Sequence, residues 1–128
     1  MDGIEECQAY AELIKDNLDF DVLVERYPYQ EKELQNIYDI IMETVVAKGE
    51  SVIISGQKYP RELVKAKFLK FNMSHIEYVM DCLQKNTTKV RNIKSYLLTT
   101  LFNAGSTMDS YYRAMVNYDM PQFAGQIY

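Results

Sequence analysis

The sequence predicts an all-α, or nearly all-α, domain. We expect a compact bundle of about six or seven helices with one short β-hairpin or extended arm near 51–59. Three observations lead there. Apolar residues recur at three-and-four spacing along most of the chain, which is the period of a helix with one buried face. A single stretch, Ser51 to Tyr59, breaks that period with β-branched residues and a turn signal. The 128 residues are 48% hydrophobic and 25% charged, the balance of one ordinary globular domain. The boundaries set by these patterns are a single helical domain over 1–120 and a loose, uncharged tail over 121–128.

The elements follow in order. Cys7, Tyr10, Ala11, Ile14 and Leu18 line one face of a first helix. Phe20, Leu23, Val24 and Tyr27 continue the pattern for two turns, with Asp19 as the expected N-cap and Pro28 as the stop. A longer helix runs from about Gln30 to Lys48, with Leu34, Ile37, Tyr38, Ile41 and Val45 inward. Gly49 stands where a left-handed C-terminal residue is wanted. Val52, Ile53 and Ile54 then precede the turn signal Ser55-Gly56-Gln57. Pro60 suits the first turn of the next helix, whose inner side is Leu63, Val64, Phe68 and Phe71. Ser74 and Glu77 have the spacing of a capping box, with Met73 and Tyr78 as its staple. Ile76, Val79, Met80 and Leu83 form the stripe behind it. After Asn86-Thr87-Thr88, a helix from about Lys89 to Phe102 turns Val90, Ile93, Leu97 and Leu101 inward. Ser106 or Thr107 caps a last helix carrying Met108, Tyr111, Tyr112 and Met115.

Several function classes are excluded by what the chain lacks. No apolar run approaches the roughly 20 residues of a membrane helix, and the first 30 residues carry no signal-peptide pattern. Cys7 and Cys82 are too few and too far apart for a disulfide scaffold, so a reducing, cytoplasmic setting is expected. One histidine, His75, and no C-x-x-C spacing leave no metal site to expect. No G-K-[ST] phosphate loop occurs. The pair Tyr111-Tyr112 resembles a strand-nicking nucleophile, but that chemistry needs a histidine-held metal or several Arg and His groups around the phosphate. Four scattered arginines do not supply it. We read the chain as no enzyme, with no cofactor.

Charge is the informative property. The net charge is −4, yet residues 1–50 hold thirteen acids against four bases, while residues 51–128 hold five acids against ten bases. Nine of those ten bases lie between Lys58 and Lys94. Such asymmetry is a hint of a nucleic-acid or acidic-partner surface; the competing reading is that the two halves face each other or that both faces are solvated. Lys85, Thr88, Lys89, Arg91 and Lys94 gather about one helix start, where free backbone N–H groups and a hydroxyl suit a phosphate. Tyr96 adds a ring for base stacking. Arg61 and Lys65, one turn apart, form a second ridge with Lys58, Lys67 and Lys70 about it. The competing reading of both clusters is a solvated basic face. The acidic half has its own functional reading as a docking face for a basic host protein.

The string from Val64 to Met120, above all HIEYVMDCL, Asn86 through Tyr96, and the Asn103-Ala104 and Tyr111-Tyr112 end, resembles the C-terminal domain of replication initiator protein A of Gram-positive plasmids and integrative conjugative elements. Leu13 to Glu33 resembles the first half of the same domain, and Tyr118 departs from it where a histidine is the rule. The resemblance implies a helical domain similar to that of DnaD-type primosome proteins, without the winged-helix domain that usually precedes it. It further implies a non-catalytic accessory module that contacts host replication-initiation or helicase-loading proteins, with auxiliary binding to single- or double-stranded DNA. The alternative is a protein–protein interaction or homo-oligomerisation domain without nucleic-acid contact.

Overall fold

The computed structural model describes residues 3–85 and 92–105. Among these, six helices and one two-stranded antiparallel hairpin form the predicted all-α body with its small β excursion. The helices are α1 (Gly3–Leu18), α2 (Phe20–Arg26), α3 (Glu31–Val46), α4 (Arg61–Leu69) and α5 (Met73–Lys85), joined by α6 over 93–105. The hairpin, β1 (Ser51–Ile54) and β2 (Gln57–Pro60), sits between α3 and α4. The last predicted helix from Ser106 or Thr107 and the predicted tail lie outside the described residues.

The core follows from the apolar period. Leu34, Ile37, Ile41 and Val45 run along one face of α3 and are fully buried. Around them close Ile14 and Leu18 of α1, Leu23 of α2, Val64 and Phe68 of α4, Ile76, Val79 and Met80 of α5, and Leu97 and Leu101 of α6. Helix α3 packs against α1, α2 and α4, so it is the axis of the body. Ile54 is the hairpin's buried contribution to this core. Among the described residues no polar or charged side chain is buried, as expected where apolar transfer is the main driving force.

The junctions differ from the sequence reading in instructive ways. Asp19 precedes α2, but it does so at φ 51°, ψ 54° with no side-chain cap. A single left-handed residue thus breaks α1 from α2, and Asp is among the few residues that accept this conformation. Gly49 does have positive φ, but α3 has already ended at Val46, so this glycine serves the turn into β1. The cap of α5 lies two residues upstream of Ser74. Asn72 Oδ1 accepts from the Ser74 N–H at 2.9 Å, and His75 Nδ1 accepts from the Asn72 N–H at 3.0 Å. This is a reciprocal capping box with histidine in the place usually held by Glu or Gln. Phe71 and Ile76, both buried, have the spacing of its staple. Glu77, released from capping, pairs with Arg26 and ties α5 to α2. Leu63 and Ile93, expected inward, are each 47% exposed. Val64, the next residue, takes the inner face in place of Leu63, and Ile93 is the first residue of α6, one turn before the buried stripe of Leu97 and Leu101.

Candidate functional site

The hairpin is built by its turn. Ser55 and Gly56 both have positive φ, at 53° and 79°, the signature of the type I′ turn that joins antiparallel strands with matching twist. The register is Ser51↔Pro60, Val52↔Tyr59, Ile53↔Lys58 and Ile54↔Gln57. The hairpin is fixed at two points. At its tip, the Ser55 and Thr99 hydroxyls are hydrogen-bonded at 2.8 Å. On its inner face Tyr59 packs its ring on Phe102 at 4.5 Å between centroids, and Lys67 Nζ stands 4.0 Å from the Phe102 centroid. Its base is held by Arg61.

Arg61 is the first residue of α4, and its guanidinium reaches back to the end of α3. Nε donates to the Gly49 carbonyl, Nη2 to the Lys48 carbonyl at 3.1 Å and Nη1 to the Thr44 carbonyl at 3.4 Å. Helix C-termini leave carbonyls without intrahelical donors and carry partial negative charge. A planar five-donor cation satisfies several of them at once. The residue named as half of a phosphate-binding ridge is therefore a clamp between the hairpin and α3.

The other predicted contacts divide. Lys65 turns to α1, with its Nζ 4.8 Å from the Tyr10 ring centroid. The Tyr10 side chain, hydrogen-bonded to it, holds its ammonium above the usual lysine value. Lys94 pairs with Glu43 of α3 at 2.9 Å, and both side chains are more than half exposed. A pair so wet is worth about 0–1 kcal/mol, so a phosphate can displace it. The recess beside it, about 230 Å³, also presents Asp39, whose charge opposes an incoming anion. Lys85 lies 3.4 Å from Asp81, one turn back on α5. Tyr96 donates from its hydroxyl to the Cys82 carbonyl at 3.4 Å and is half-buried. Thr88, Lys89 and Arg91 lie outside the described residues. The structure thus brings Lys94 and Arg61 to the last turns of α3 and sends Lys65 to α1. Phe71, read from the sequence as an inner-side residue, is in the core against Phe68.

One feature escaped the sequence reading. A cavity of about 430 Å³ opens between β1 with its turn (Ile53, Ile54, Ser55, Gly56) and α6 (Ser95, Tyr96, Leu98, Thr99). Among the described residues its lining has hydroxyls and apolar groups but no Asp, Glu, Lys, Arg or His. Ile53, on its rim, is 67% exposed. The only signal in the sequence is the second residue of the β-branched run Val52-Ile53-Ile54, and such a run does not tell an inward residue from an outward one.

Among the described residues no group of three or more His, Cys, Asp or Glu side chains is placed to hold a metal ion, and no helix is long and apolar enough to cross a membrane. Cys7 and Cys82 are both free thiols, and burial raises the Cys82 thiol above its usual range. These features define a small helical module with a hairpin strapped to its side and an uncharged cleft beside the strap. The chain belongs to a family of unknown function, DUF6017, whose pattern matches residues 2–123. No curated protein and no solved structure matches it.

Proposed function

We propose that this chain is a non-catalytic, cytoplasmic accessory module of a plasmid or mobile-element replication initiator, one that contacts host replication-initiation or helicase-loading proteins and touches DNA in an auxiliary way. The observation that carries this reading is the likeness of Leu13–Glu33 and Val64–Met120 to the initiator C-terminal domain. Two features of the surface support it. The uncharged cleft suits a protein contact, and the exposed Lys94 pair is weak enough to be exchanged for a phosphate. The testing experiment is replication of a mini-plasmid that depends on an initiator carrying this module. Deleting the module should abolish or sharply reduce copy number while origin binding by the initiator's other domain persists. Unchanged copy number removes the proposal.

The second reading, a protein-interaction or homo-oligomerisation domain without DNA contact, is favoured by a different observation. Arg61 is committed to three backbone carbonyls and Lys65 to Tyr10. A gel-shift series separates the two. If several cations touch phosphate, affinity falls steeply between about 50 and 200 mM salt, and Lys89→Ala, Arg91→Ala and Lys94→Ala together weaken it. No shift of single- or double-stranded DNA at low salt selects the second reading.

A further inference from the structure

The cleft between β1 and α6 has a property that its volume does not convey. The two-residue turn makes Ile54↔Gln57 a hydrogen-bonded pair, and in an antiparallel ladder such pairs alternate with non-bonded ones. Ile53↔Lys58 is therefore non-bonded, so the Ile53 N–H and C=O point away from β2. The bond from the Arg61 N–H to the Glu50 carbonyl at 2.9 Å continues the same alternation. No backbone partner for Ile53 occurs among the described residues. The cleft is lined by residues of β1 and the turn and by none of β2, so it lies on the strand's unpaired side. One wall is thus a strand edge whose outward donor and acceptor meet no backbone partner among the described residues. The other wall is the α6 surface of Ser95, Leu98 and Thr99.

The geometry points to this cleft as a docking site for an extended peptide segment of a partner protein, added as a third strand beside β1 with an uncharged, apolar side chain seated against Leu98 and Ile54. The backbone groups of Ile53 ask for an extended backbone, which main-chain hydrogen bonds recognise whatever the side chains. The lining asks for an uncharged residue, since a buried charge would lose its hydration with no counter-charge to replace it. This names the surface and the partner chemistry for the protein-docking part of the proposed function and rests on that part. The replication assay and the binding assay below fail separately, because the latter reads the isolated chain with no origin or host protein present.

The test is an NMR titration of the ¹⁵N-labelled full chain with a capped heptapeptide of alternating threonine and valine between terminal lysines. The expected result is a saturable shift confined to Ile53, Ser55, Leu98 and Thr99, with slowed exchange of the Ile53 amide. The same peptide N-methylated at alternate residues, which keeps its side chains but loses backbone donors, should lose that response. Ile53→Pro, which removes the donor at a position facing away from the ladder, should lose it too while the remaining peaks stay dispersed. Equal shifts by the N-methylated peptide overturn the inference, as does absence of any shift at Ile53. Protection of the Ile53 amide that rises with protein concentration alone also overturns it, in favour of a second copy of this chain on that edge.

Discussion

His75 shows how much one side chain can decide. Its Nδ1 accepts from the Asn72 N–H, so the neutral ring is the one that caps α5, and burial lowers its pKa below the usual histidine value. A proton therefore prefers the unfolded chain, where the ring titrates near about 6.5. Stability should be flat above that pH, fall as pH drops through it, and level off below the depressed folded value. Thermal melts between pH 8 and 5 will show this slope, and His75→Gln, which keeps an acceptor without titrating near neutrality, should flatten it. Asn72→Ala, by removing the other half of the box, should cost about 1 kcal/mol at any pH in that range. At the turn, Gly56 holds φ +79°, where a Cβ is strained even though space is open around it. Gly56→Ala should lower the melting temperature, at a cost of about 1 kcal/mol. Neither Asn72 nor His75 was legible as a cap from the sequence. Ser74 and Glu77 match the capping pattern better, and only the three-dimensional pull of Arg26 on Glu77 decides against them.

At the scale of elements, the helical period was a good guide and the edges of elements a poor one. The stripes Leu34-Ile37-Ile41-Val45 and Ile76-Val79-Met80 are buried as read, with Leu83 partly buried at the end of the second, because helical spacing gathers them on one apolar face. Leu63 was misplaced since it sits next to the better-aimed Val64, and spacing cannot rank two adjacent candidates. Ile93 is the first residue of α6, one turn before the buried Leu97, and spacing does not mark where a buried stripe ends. The fate of Arg61 was invisible for a stronger reason. Its partners are carbonyls of residues 44, 48 and 49, and backbone acceptors leave no mark in a sequence. Arg61→Ala should destabilise the fold by about 1–3 kcal/mol in chemical denaturation, since charged hydrogen bonds are lost and acceptors stranded. Arg61→Lys should recover only part of that loss, because an ammonium cannot present the planar fork. In the core of α3, Ile41→Ala should cost about 2–5 kcal/mol, as Ile41 is fully buried on the axis helix.

Over the whole molecule, the split between an acidic first half and a basic remainder is real in the sequence but does not translate into two clean walls. Lys94 of the basic remainder meets Glu43 of α3, and Arg26 of the acidic half meets Glu77 of α5, so opposite charges of the two halves stand side by side. Lys15, though exposed, lies over the Phe20 and Tyr38 rings. Counting charges along a chain cannot see such pairings. They matter unequally, because the exposed Lys94–Glu43 contact contributes little and Arg61 is held by geometry. Lys94→Ala should accordingly change the unfolding midpoint hardly at all, within about 0.5 kcal/mol. A loss of DNA affinity in that variant then reports contact with phosphate and not a damaged fold.

The hairpin is anchored three times: by hydroxyls at its tip, by a tilted pair of rings on its inner face and by a guanidinium at its base. A two-stranded ribbon of this length would not hold its shape in water by itself. These contacts restrain its swing, so the gap beside the sixth helix is in place before anything enters it. A guest with an extended backbone then gives up mainly its own disorder on association.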